Sequence, residues 1–364
     1  MPDADPADDG GAAIAPSREM RLLLAAAMDH AERAQGAWAS WLGAVDLDHL
    51  EQGATALLSL VSRNLDELRA DPSVEGRVRG VHRQTWARNQ LLWAAGAPLV
   101  DRLGEVAGPP LLLPATALLA TYEGDWGARP LDRITVALDP VAVDLARGAL
   151  AAQGWAVDHV TPRLLARTRA GLVERWQSQD RSGNWVTIRW HVLRQVSSAV
   201  ADEQLRGAAV TTAVGSSRVH LLHPADALLE RLWNSSGERS PGWIADAVQL
   251  ARVLAADGSG RPAAVTRFAE RAHQLGIQPV VRQRLELVAA TLPDPAVVAA
   301  LAAVREARPV AASRLWVLPG PAGHLGRAWA GHAAGQGVAS GARSLLRARW
   351  AGRRLRYRGS AQRR

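Results

Sequence analysis

Between two long stretches with helical periodicity lies the run Arg133-Ile-Thr-Val-Ala-Leu138, in which Ile134, Val136 and Leu138 alternate with Arg133, Thr135 and Ala137. A two-residue period places one set of side chains in a core and the other toward a cleft or solvent, so this segment reads as a strand with one buried face. A strand needs partners. Leu111 to Leu113 is a short apolar run suited to a buried strand, and Trp155 to Val160, Leu172 to Ser178 and Trp185 to Val192 read as further strands. Asp180-Arg-Ser-Gly183 is the expected hairpin turn between the last two. Pro114 to Tyr122 and Val141 to Gln153, the latter ending at Gly154, read as helices between them. The fold class is therefore α+β, with a small mixed sheet over residues 109–200.

The flanks have a different texture. Residues 18–108 are helical in pattern: Leu22, Leu23, Ala26 and Ala27 follow a candidate cap at Ser17, and Val78 to Leu103 reads as one long amphipathic helix after a break at Pro72. Its Trp86 and Trp93 are expected to be core anchors. Residues 201–306 also read as helices, with breaks near Gly237 to Gly242, Gly258 to Pro262 and Pro293 to Pro295. Residues 1–17 carry Asp3, Asp5, Asp8 and Asp9 without a basic start or apolar stretch and read as a disordered acidic leader. Residues 307–364 hold twelve arginines and no acid, a basic tail that accounts for the net charge of +8 and leaves the body mildly acidic.

Composition removes several chemistries. Without cysteine there are no disulfides, thiolate metal sites or cysteine nucleophiles. All 43 basic residues are arginine, so no amine is present for a Schiff base or for steadying a phosphate. Neither a Walker-type phosphate loop nor Gly-x-Ser-x-Gly occurs. His30, His49, His82, His159, His191, His220 and His223 are scattered without metal-ligand spacing. No apolar run reaches the roughly 18 residues of a membrane span, and a soluble, cytoplasmic protein is expected.

Several blocks resemble one family. Leu111 to Leu113, the loop with Tyr122, Asp125 and Gly127, the pair Arg129-Pro130 and the strand through Ile134 are similar to the core of an uncharacterised bacterial nucleotidyltransferase family related to the minimal, polymerase-beta-like enzymes. Upstream, Ser62-Arg-Asn-Leu65 looks like that family's Tyr-Arg-Asn-Leu. Downstream, Val186 to His191 resembles its Val-Asp-Leu-His-Trp strand, and Trp243-Ile-Ala-Asp-Ala247 is similar to a run in its C-terminal helices. The resemblance implies a nucleotidyltransferase core flanked by helical regions.

The departures fall on the chemistry. Nucleotidyl transfer by two metal ions needs carboxylates two apart on one strand and a third on a neighbouring strand. By the resemblance those positions are Arg133, Thr135 and Thr187 here. The family's Lys-Gly is Pro114-Ala115, and the His before Trp190 is Arg189. Arginine repels a divalent cation and a threonine hydroxyl is a weak neutral ligand, so neither metal nor cofactor is expected and no residue is assigned as catalytic. A one-residue register shift that brought Asp132 into play would turn Ile134, Val136 and Leu138 out of the core.

What the resemblance implies is then a catalytically degenerate member, a pseudoenzyme acting as a ligand- or partner-binding module. Arg129, Arg133, Thr135, Thr187 and Arg189 mark the former active site and are candidates for contacting a nucleotide or another phosphate-bearing ligand, since paired guanidiniums bind such groups bidentately. The plainer reading pairs each arginine with a local acid such as Asp132, Asp180 or Glu174. Two alternatives stand beside this one. The first is an active enzyme transferring a nucleotide to a small molecule, peptide or RNA with a metal site rebuilt from other acids. The second is a non-enzymatic adaptor whose basic tail meets nucleic acid or an acidic partner.

Overall fold

The computed structural model describes residues 15–157, 173–178, 184–193, 199–235, 240–256 and 261–307. The N-terminal helices are α1 (Arg18–Met28), α2 (Ala31–Leu42), α3 (Gln52–Val61) and α4 (Leu65–Leu68). Ser17 caps α1 by accepting from the Met20 amide. The far end of α1 is closed by Asn64, whose side-chain amide donates to the carbonyls of Ala26, Ala27 and Asp29. That side chain satisfies acceptors a helix terminus leaves open.

Helix α5 (Pro72–Ala107) runs 36 residues. Pro72 starts this helix: with Asp71 as cap and proline at its first position, the segment begins six residues before the expected Val78. The sheet has seven strands, β1 (Leu111–Leu112), β2 (Ile134–Ala137), β3 (Trp155–Val157), β4 (Val173–Ser178), β5 (Trp185–Arg189), β6 (Val210–Val214) and β7 (Ser217–Leu221), in the order β3-β4-β5-β2-β1-β7-β6. It is mixed: β2/β5 and β1/β7 are parallel, while β1/β2, β3/β4, β4/β5 and β6/β7 are antiparallel. The helices α6 (Pro114–Thr121), α7 (Val143–Ala152) and α8 (Ala199–Gly207) connect strands. The C-terminal helices are α9 (Pro224–Asn234), α10 (Gly242–Ala256), α11 (Arg261–Gln274), α12 (Gln278–Thr291) and α13 (Pro295–Glu306).

Two cores lie on opposite sides of the sheet. Ile134, Val136, Leu138, Val186 and Ile188 pack with Leu99 and Leu103 of α5 and Leu150 of α7. The other face contributes Leu111, Leu113 and Ala137 to a larger core of N- and C-terminal helices, including Leu24, Leu58, Leu228, Ile244 and Leu285. Close approach of α5 to β2 depends on Gly96, where an added Cβ would stand 2.1 Å from Cδ1 of Ile134.

The α+β class and the mixed sheet match expectation, but four readings are corrected. Strand β2 is buried on both faces and not on one, and Trp86, expected with Trp93 to be a core anchor, is 49% exposed while Trp93 is buried. Residues 210–221, expected to be helical within 201–306, form a hairpin that extends the same sheet. Val210-Thr-Thr-Ala-Val214 is β-branched in four of five positions, which favours a strand over the surrounding alanine-rich pattern. Strand β5 ends at Arg189 rather than Val192, because the Val192 amide donates to the Asp202 carboxylate at 2.9 Å instead of to a neighbouring strand. The leader (1–14), residues 158–160, the turn at 180–183 and the tail from 308 lie outside the described residues. No helix among the described residues is long and apolar enough to cross a membrane.

Candidate functional site

Strands β2 and β5 run parallel with Thr135 directly beside Thr187. Both are buried, at 4% exposure each. The Thr135 amide donates to the hydroxyl of Thr116, and its carbonyl accepts from Leu113, at 2.9 and 3.0 Å. Among the described residues, the buried Thr187 hydroxyl has no hydrogen-bond partner. Two carboxylates sharing a metal would require this adjacency, and the residues here offer two neutral hydroxyls in a closed environment.

The arginines of the same strands do not converge. Arg133 is exposed just ahead of β2, whereas Arg189 ends β5 opposite Ala137. Four strand positions separate them, about 13 Å, too far to form the two halves of one anion clamp. Arg189 turns to α9, where its Nη1 meets Glu230 Oε1 at 2.6 Å and Asn234 donates to the same oxygen at 2.5 Å. The acid described beside it, Glu230, comes from a helix; Asp180 and the side chain of Glu174 lie outside what is described. Asp132 is itself exposed, 3.8 Å from Arg88, and β2 keeps Ile134, Val136 and Leu138 in the core, so the alternative register is not adopted.

Arg129 is buried in a second polar cluster. Its Nε lies 2.8 Å from Oδ1 of Asp246 on α10 and its Nη2 donates to Oδ2 at 3.0 Å. Arg231 of α9 reaches the same carboxylate at 2.9 Å, and the Tyr122 hydroxyl stands 3.5 Å from Oδ1. Burial, and then the charge of Asp246, push the Tyr122 phenol far above its ordinary range. Burial works against the Arg129 cation, but the opposing charge of Asp246 outweighs it and holds the guanidinium above its usual value. Gly242 makes room: a Cβ there would lie 2.6 Å from Nη1 of Arg129.

The loop carrying Tyr122 and Arg129 is held from both ends. Arg63 lies over the Tyr122 ring at 5.3 Å and pairs with Glu123 at 3.2 Å. His82 of α5 meets Asp125 at 2.9 Å, and Asp125 accepts from the Gly127 amide. The fully buried Asn89 donates to the carbonyls of Trp126 and Arg129 and accepts from Leu131. Sequence reasoning assigned no role to Asn89, Glu230 or Asp202, nor any partner to Asp246. A polar residue on an otherwise apolar helical face was the available signal, and buried groups of that kind require partners.

His191 is in contact with Asp202 of α8 through Nδ1 at 2.5 Å, while His223 accepts from the Ala225 amide as the cap of α9. Among the described residues, no group of three or more His, Asp or Glu could hold a metal ion. At the start of α6, where the resemblance implies Lys-Gly, the recess lined by Leu112, Pro114, Ala117 and Leu118 is about 30 Å³, room for a water but not for a nucleotide phosphate chain. No family model matches the chain, and no curated protein or solved structure matches it either.

Proposed function

We propose that this chain is a nucleotidyltransferase-fold protein that has lost metal-dependent transfer and serves as a binding module. The observation that carries the reading is the side-by-side placement of buried Thr135 and Thr187 on parallel strands, where a two-metal enzyme needs acids. The acid described beside Arg189, Glu230, is engaged by both Arg189 and Asn234 and is not available as a replacement ligand. Support for the scaffold comes from four separate sequence blocks: Arg63, Tyr122, Arg129 and Asp246 meet in one connected cluster. With Arg133 and Arg189 apart and Arg189 neutralised, a protein or other macromolecular partner fits the closed site better than an enclosed nucleotide.

Thermal melting with and without millimolar Mg²⁺ or Mn²⁺ tests this, because any ligand that binds only the native state raises the melting temperature. We expect no metal-dependent shift. ATP added with a chelator should give at most weak, salt-sensitive binding that depends on Arg133. An upward shift with metal that disappears in Asp132→Asn would establish a rebuilt metal site and overturn the reading in favour of an active transferase.

A further inference from the structure

Strand β6 closes one end of the seven-strand order and, among the described residues, pairs only with β7. Its register is unbroken from Val210 opposite Leu221 to Val214 opposite Ser217, so no bulge interrupts it. The His220 amide donates to the Pro110 carbonyl at 3.0 Å, away from β6. The Thr211–His220 pair is therefore a non-hydrogen-bonded pair of the β6/β7 ladder. By the alternation of an antiparallel ladder, the N–H and C=O groups of Thr211 and Ala213 point outward. Both residues are exposed, and Val210 is 53% exposed.

Edges of this kind are commonly blunted by charge, proline, a bulge or shortness. The opposite edge, β3, spans three residues. By contrast, β6 spans five, and residues 207–217 contain neither a charged side chain nor a proline. In water these outward groups are hydrated, and a second strand in register would pair all of them.

We infer that β6 is a docking edge for a second copy of this chain, the two β6 strands pairing antiparallel about a two-fold axis at Thr212. In that register Thr211 of each copy faces Ala213 of the other. Each of these pairs exchanges two backbone hydrogen bonds, and Val210 meets Val214 of the second copy on the other face. The flanking charges do not oppose the pairing. Arg218 of one copy and His220 of the other lie three strand spacings apart across the junction, about 14 Å, beyond the screening length at ordinary salt. An edge of five residues buries little area, so the dimer is weak and concentration-dependent.

Sedimentation of the full chain up to about 200 µM tests this, since a weak dimer is populated by mass action. The expected result is a rise from monomer toward twice the mass. Thr212→Lys sets like charges opposite each other, and Thr211→Pro removes an outward N–H that β7 does not use; both should remain monomeric with unchanged melting temperature. A parent chain monomeric throughout, or a dimer surviving in both folded variants, overturns the inference. So does a dimer that appears only when residues 308–364 are removed, since the tail would then be the occupant of the edge.

Discussion

The guanidinium of Arg129 on the loop before β2 makes two contacts with the carboxylate of Asp246 on α10, 117 residues further along, and Arg231 approaches that carboxylate as well. Removing the acid leaves two desolvated cations with nothing to neutralise them. We expect Asp246→Ala to cost about 3–5 kcal/mol in urea unfolding, the range for breaking a buried pair. Arg231→Met should cost less, because Arg129 and Asp246 still balance each other. Equal losses for the two variants would mean that charge balance is not what the cluster contributes.

Tyr122 supplies a pH test with a defined sign. An acid whose folded value is raised keeps its proton in the native state where the unfolded chain releases it. Its stabilisation is complete below the ordinary phenol value of 10.0 and is lost as pH rises toward the folded value. The chain has two tyrosines, so a Tyr357→Phe variant isolates Tyr122. Its tyrosinate absorbance should appear only together with loss of secondary structure. Ionisation near pH 10 in a still-folded chain would contradict the burial of the phenol.

Thr187 tests whether the hydroxyl beside Thr135 is purely structural. It is buried without a partner among the described residues, and such a group costs about 1–3 kcal/mol relative to an apolar one of the same shape. Thr187→Val should therefore raise stability by about 1 kcal/mol, seen as a higher urea midpoint with unchanged slope. A destabilised valine variant would show that the hydroxyl is engaged.

At Gly96 the helix and sheet compete for one volume. Gly96→Ala gains about 1 kcal/mol in helix propensity but drives a methyl group into Ile134, an overpacking cost of about 1–3 kcal/mol. The variant should be less stable than the parent. Adding Ile134→Val, which removes the clashing Cδ1, should recover part of the loss, and simple additivity in the double-mutant cycle would refute the contact.

The sequence was legible where local pattern and tertiary environment agree. The alternation at Ile134, Val136 and Leu138 placed β2 correctly, although its other face, with Thr135 and Ala137, is buried too, which the local pattern does not reveal; Ser17 marked the start of α1 by its capping chemistry. The hairpin at 210–221 was missed because Ala208 and Ala209 run into it with no break, and its turn, Gly215-Ser216, interrupts a segment too short for periodicity to speak. At the candidate site, the placement of Thr135 and Thr187 on two strands could be read from local pattern, whereas the partners of the arginines could not. Glu230 and Asp246 lie 41 and 117 residues from Arg189 and Arg129, and no local rule connects positions so far apart.

Helix α5 takes part in both cores, with Val78 among the residues of the larger one and Leu92, Trp93, Leu99 and Leu103 in the other. At 36 residues it spans about 54 Å, and neither core retains its packing if the helix frays along its length. The chain should accordingly melt in one cooperative step, with the central amides of α5 exchanging only through global opening. A fragment that starts at Gly108 would lack one wall of the sheet, so the boundary between the N-terminal helices and the sheet is a division in sequence and not in thermodynamics.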